Sequence, residues 1–205
     1  MHNNQSPVEG KRIGGILLAA GASERMQKPK QLLNWRGRPL ICQSAQNGLE
    51  AGLRPLIVIT GANQAVVEDA IEHLAIQIIY NPDWRMGQST SMKAGLRALP
   101  ENCDGAVFLI CDQPQVSPLL IRQLVEKRVE TGAPIVAPQV DGQHVNPVLF
   151  GRETFQALME VTGDQGGRAV FKQFEVEWLP WTDNRLLLDI DTAGDLERLE
   201  RAYFP

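Results

Sequence analysis

Along nearly the whole chain, apolar runs of strand length alternate with amphipathic stretches of helix length, and that alternation admits few folds. Strands are expected at Ile13–Ala19 (IGGILLA), Leu56–Thr60 (LIVIT), Ile76–Tyr80, Ala106–Cys111 (AVFLIC), Pro134–Ala137, Pro147–Phe150, Val176–Leu179 and Leu186–Ile190. Helices are expected at Pro39–Ala51, Gln64–His73 and Gln88–Leu99, the last ended by Pro100. Ser117 is placed to cap a further helix opened by Pro118, and Thr192 one that runs to about Tyr203. AVFLIC has no polar alternation, as in a central parallel strand covered on both faces. The pattern predicts a three-layer α/β fold: a mainly parallel sheet with helices on both faces, some later strands antiparallel. In open sheets of this kind ligands bind beyond the carboxyl ends of the strands, so residues directly after strands carry the functional weight.

Bulk properties narrow the partners. The chain has 205 residues, enough for one α/β domain with its own core; residues 13–205 are read as that domain and residues 1–12 as a flexible polar tail. A formal net charge of -4 supplies no broad positive field, which argues against nucleic acid and against a membrane surface. No apolar run approaches the ~20 residues that cross a bilayer. Cys42, Cys103 and Cys111 are odd in number and form no C-x-x-C pair, so the expectation is a reducing, cytoplasmic setting without a disulfide framework or zinc site.

Three segments after expected strands hold the chemistry. The first reads LAAGASERMQKPKQLLNW (Leu18–Trp35). Ala19, Ala20, Gly21, Ala22 and Ser23 are small enough for the backbone to approach a ligand and offer N–H groups to phosphate, with positive charge from Arg25 and Lys30. By composition alone a loop of solvated charges fits as well. The segment is neither a Walker A loop nor G-x-G-x-x-G. The second is Asp112, directly after AVFLIC in CDQP; the third is LLLDIDT, with Asp189 and Asp191. Carboxylates at strand ends suit a hard cation that completes its shell with phosphate oxygens, although helix caps and turns use the same residues.

The run L-A-A-G-x-S-x-R-M followed by K-x-L-L-x-W resembles the signature of the MobA/MocA-type nucleotidyltransferases. The resemblance extends, motif by motif, from Ile13 to Phe204 and implies a three-layer Rossmann-like nucleotidyltransferase fold. It implies a loop that wraps NTP phosphates, with Gly21, Arg25 and Lys30 in that role, and Mg²⁺ on Asp112 (D-x-P) and Asp191 (D-I-D-T), Asp189 being a weaker candidate. Asn81, Gly87 and Ser91, in NPDWRMGQSTS, would lie beside the nucleotide base. Asn146 and Pro147, with Gly163, Asp164, Gly166 and Arg168 of GDQGGR, would face the acceptor. Gln27 and Asn34 depart from the family, which usually has glycine and proline there. His73 and His144 are read as structural and loop residues, Trp35 and Trp84 as packing.

The resemblance further implies a transfer of CMP from CTP to the phosphate of molybdopterin with release of pyrophosphate; Ala20, where the guanylyl branch more often has glycine, points to CTP over GTP. A molybdoenzyme or its delivery chaperone would take the product. Three other readings stay open: transfer to another phosphorylated small molecule, a nicotinamide-dependent oxidoreductase, and a non-catalytic cofactor-binding protein.

Overall fold

The computed structural model of the protein describes residues 11–203 except Arg25 and Gln27. The expected tail therefore falls almost wholly outside the described residues, as do the Arg25 assignment and the Gln27 departure. Beyond Ala193, whose side chain is likewise not described, the account below covers that whole span.

Among the described residues ten strands and six α-helices follow in chain order: β1 (Ile13–Leu18), β2 (Asn34–Trp35), β3 (Arg38–Pro39), α1 (Leu40–Glu50), β4 (Leu56–Thr60), α2 (Gln64–Ile71), β5 (Gln77–Tyr80), α3 (Gln88–Ala98), β6 (Gly105–Ile110), α4 (Pro118–Thr131), β7 (Ile135–Val140), β8 (Gln143–His144), β9 (Val148–Gly151), α5 (Phe155–Glu160), β10 (Val176–Pro180) and α6 (Ala193–Tyr203). The main sheet has the order β10-β7-β9-β6-β1-β4-β5, with β8 paired to β7. β6, β1, β4 and β5 run parallel, and β9 is antiparallel to both its neighbours.

Side-chain parity separates two cores across this sheet. Leu17, Leu56, Val58, Val107 and Leu109 pack under α1, α2 and α4, whereas Ile16, Ile57, Ile59, Ala106 and Phe108 pack under α3 and α5. Consecutive residues of one strand thus serve opposite cores, which is why these strands read as unbroken apolar runs. Gly95 lets α3 lie directly on β1: a Cβ there would stand 2.4 Å from Ile16 Cγ2.

The fold class is as the sequence pattern predicts, and most element boundaries agree within a residue or two. Helix α5 and the short strand β8 are additional to the expected elements, and two further differences bear on the site's surroundings. Leu186–Ile190 is not a strand: Asn184–Leu187 is a 3-10 turn opened by Asp183, whose carboxylate accepts the Arg185 N–H. The following extended segment is held by the Gln115 side chain, which donates to the Leu188 carbonyl at 2.6 Å, rather than by a strand ladder. The β2–β3 hairpin is additional; Arg36 and Gly37 both take positive φ, as a tight two-residue turn requires. No described helix is long and apolar enough to cross a membrane.

Candidate active site

The chain leaves β1 for β4 and β5 on one side, then returns to place β6 on the other. The crevice between the carboxyl ends of β1 and β6 is therefore the point where strand order reverses, the place such sheets bind ligands. A cleft of about 520 Å³ opens there, lined by Leu18–Ala22 from the first loop and by Ile110–Asp112 from the end of β6.

The first loop is held from within. Ala19 continues the sheet, its N–H donating to Ile59 O. Past it, the N–H groups of Gly21 and Ala22 have no hydrogen-bond partner among the described residues, while both residues line the cleft. The loop is closed by Gln31, only 1% exposed, which donates to the carbonyls of Ala19 (2.9 Å) and Gly21 (2.7 Å). Ser23, at φ 57, accepts the Lys30 N–H at 3.0 Å and donates to Gln31 Oε1 at 3.3 Å. Ser23 and Gln31 thus fold the loop back so that Lys30 returns to the strand ends. Sequence reading missed Gln31; a polar residue inside K-x-L-L was the available signal.

Three charges converge. Lys30 Nζ lies 2.5 Å from Asp112 Oδ2 and 3.4 Å from Asp191 Oδ1. The Asp112 side chain is 11% exposed and that of Asp191 55%. Burial is the largest single influence on Lys30 and works against its charge, but the neighbouring acidic groups, Asp112 foremost and Asp191 after it, together hold the ammonium above the usual lysine range. At Asp112 burial prevails, raising its carboxyl above the usual carboxylate range against the pull of Lys30. Two carboxylate oxygens within reach of one cation position form a donor set that a hard divalent ion with phosphate co-ligands also accepts, so the residues fit such a metal. Among the described residues no cluster of three or more His, Cys, Asp or Glu side chains forms a metal cage. Asp189 faces elsewhere: it accepts Gln113 Nε2 at 2.6 Å and lines a second cavity. Neither Asp189 nor Asp191 lies in a strand, so no strand alternation relates their side chains.

Asn81 is buried at the end of β5. Its Nδ2 donates to Thr90 Oγ1 (2.8 Å) and Ser91 Oγ (2.9 Å), and its Oδ1 accepts the Asp83 N–H. This knot ties β5 to the start of α3; Ser91 and Gly87 also line the cleft, whereas Asn81 stands behind it. Trp84 lines the cleft too, with the Arg85 guanidinium 4.3 Å from its ring centre. Trp35 instead packs in a separate cluster.

A second cavity, about 230 Å³, adjoins the cleft and shares Leu18, Gln88 and Ile110 with it. Asn146, Gly166 and Arg168 lie on it, Asp164 lies on the cleft, and Pro147 is buried between Asn146 and β9. Because β9 is antiparallel, its start, not its end, meets the carboxyl edge of β6, which brings Asn146 to the site. Gly163 meets the cleft-lining turn before α3: Gly87 sits at φ 107, and a Cβ there would stand 2.3 Å from the Gly163 carbonyl carbon. Ser89 N–H donates to Gly163 O at 3.1 Å. Motifs 76 residues apart in sequence therefore meet along one seam.

The cysteines are free and buried. Burial pushes the Cys111 thiol up to about 12, so it stays protonated behind Asp112 and offers no nucleophile.

Comparisons with known proteins agree with this architecture. The chain is 30% identical to the nicotine blue oxidoreductase of Paenarthrobacter nicotinovorans, covering 91% of this chain and 96% of that one. It is 28% identical to the molybdenum cofactor cytidylyltransferase of Escherichia coli, covering 93% and 97%. The crystal structure of Rv0371c from Mycobacterium tuberculosis in complex with manganese superimposes with a TM-score of 0.81 at 26% identity, covering 94% of this chain and all of that one. The model of the MobA-like NTP transferase domain matches residues 15–178, and the chain belongs to that family.

Proposed function

We propose that the protein is a cytoplasmic, Mg²⁺-dependent nucleotidyltransferase that moves CMP from CTP to the phosphate of molybdopterin. The observation that carries this reading is the convergence of Lys30, Asp112 and Asp191 at a cleft lined by Gly21 and Ala22, whose N–H groups have no partner among the described residues. In this reading Asp112 and Asp191 hold Mg²⁺, which when bound screens the triphosphate charge and stabilises the leaving pyrophosphate.

The chain's own groups do the rest. Gly21 and Ala22 donate N–H groups to phosphate oxygens, and Lys30 neutralises charge from the same edge. The second cavity, with Asn146 and Arg168 on its rim, holds the acceptor beside the cleft. A phosphate monoester has a second pKa of about 6, so near neutral pH its oxygen attacks the α-phosphorus without a general base. The new O–P bond forms as the bond from the α-phosphorus to the pyrophosphate oxygen breaks. The protonated Cys111 thiol offers no nucleophile, in keeping with direct transfer.

A second reading is nicotinamide-dependent oxidoreduction; in its favour stands only the relative named nicotine blue oxidoreductase. Paired carboxylates at the cleft favour the transferase, because a cation–phosphate substrate uses them and a hydride does not. The test offers Mo-molybdopterin with CTP, GTP or ATP and Mg²⁺, and follows pyrophosphate. Release with CTP above the other nucleotides is expected. Acceptor-dependent NADPH oxidation with no pyrophosphate from any nucleotide would replace the proposal with the second reading.

A further inference from the structure

The exposed carboxylate of the converging trio is placed by a part of the chain that the reaction itself does not touch. Asp191 lies outside any strand, just before α6. Four residues later, Asp195 turns back: its Oδ2 accepts the N–H groups of Asp191 (3.2 Å) and Thr192 (2.7 Å) and the Thr192 hydroxyl (2.7 Å). The Asp195 N–H in turn donates to Thr192 Oγ1 at 3.3 Å, a reciprocal cap. Arg198, one turn on, pairs with the other oxygen of Asp195.

The helix bearing Asp195 is anchored to both charged segments at once. Leu199 is fully buried with Trp35, Leu40 and Ile190, and Leu196 and Tyr203 pack against the same cluster. Ile190 is the neighbour of Asp191. Leu33 joins the cluster from the lysine side, its N–H donating to Lys30 O at 3.1 Å. Tyr203 meets Trp35 edge-on at 5.4 Å and lies under the guanidinium of Arg185, 3.9 Å from the ring centre.

We infer that Asp195 is a positioning residue for Asp191, and that α6 sets the distance between the Lys30 loop and the second carboxylate. This rests on the reading of Asp191 as a metal ligand. A carboxylate on an irregular exposed segment holds a cation well only if its backbone is fixed beforehand, and Asp195 supplies that fixation through three hydrogen bonds.

The test measures Mn²⁺ binding to the whole protein directly, by electron paramagnetic resonance with CTP present, alongside helicity and Tm. Asp195→Ala should weaken Mn²⁺ binding about tenfold and raise the metal concentration for half-maximal turnover in step, with kcat at saturating metal and the CTP KM unchanged. Asp195→Asn, whose amide oxygen can accept the same two N–H groups, should stay within about threefold of wild type. Thr192→Ala serves as a second variant if Asp195→Ala fails to fold. In Asp191→Asn/Asp195→Ala the Asp195 change should add nothing to Asp191→Asn alone. Unchanged Mn²⁺ affinity in a folded Asp195→Ala protein, or a full additive loss in the double variant, overturns the inference. Unchanged affinity in Asp191→Asn overturns instead the metal-ligand reading beneath it.

Discussion

The two adjoining cavities, which share Leu18, Gln88 and Ile110, are built by different means. The larger cleft is walled by loops that follow neighbouring parallel strands, and its shape is set by short-range bonds: Gln31 to the Ala19 and Gly21 carbonyls, Ser23 to the Lys30 N–H. The smaller cavity has a floor of strand and helix side chains, Met92, Phe108, Val148 and Phe150, from segments far apart in sequence. Phe108 and Phe150 meet edge-on at 5.4 Å across the β6–β9 pairing, and Gly167 rests on the Phe150 ring. One cavity presents charge and backbone donors, the other an apolar floor with a polar rim. Under the proposed function the contrast separates charge handling in the cleft from acceptor shape in the smaller cavity, the two meeting where they share Leu18, Gln88 and Ile110.

If the two sides are separable, variants should sort by side. The largest effect is expected from Asp112→Asn: turnover falls about 10³-fold, with Tm nearly unchanged. Near-normal pyrophosphate release would remove Asp112 from the chemistry and break the comparison at its root. Lys30→Met follows, with kcat down about 10²-fold and acceptor KM little altered. A loss confined to acceptor KM would place the lysine on the wrong side of the seam.

Asn81→Ala tests the knot behind the cleft. Its amide serves three partners in a buried site, so stability should drop by about 2 kcal/mol, read as a lower midpoint in urea. The kinetic penalty should fall on CTP rather than on the acceptor, because the knot fixes the start of α3. The smallest effect is expected from Arg168→Gln. It should raise the acceptor KM about tenfold, the scale of one charge-assisted contact to phosphate, and leave the CTP KM alone. A rise in CTP KM instead would merge the two cavities into one substrate site.

Much of this was legible along the chain. The strand–helix alternation, the small residues after β1 and the aspartate after β6 are local patterns, and local patterns survive into the fold because each is satisfied by its own neighbours. The Ser117–Pro118 helix start is such a case: Ser117 Oγ accepts the Leu120 N–H at 3.2 Å, as the sequence implies. Where the reading failed, a partner distant in sequence decided. Leu186–Ile190 has a strand's composition but joins no ladder, and the Gln115 side chain donates to the Leu188 carbonyl instead.

Residue order alone determined the fold class, the carboxyl-edge location of the small-residue loop and the presence of acidic groups at two strand or helix junctions, since periodicity and turn chemistry are written in near neighbours. The family resemblance already favours Asp191 over Asp189, but only the tertiary structure brings Asp191 to Lys30 and Gly87 to Gly163. Those contacts bridge 161 and 76 residues and depend on how layers stack, a matter of packing geometry that no short window of sequence contains.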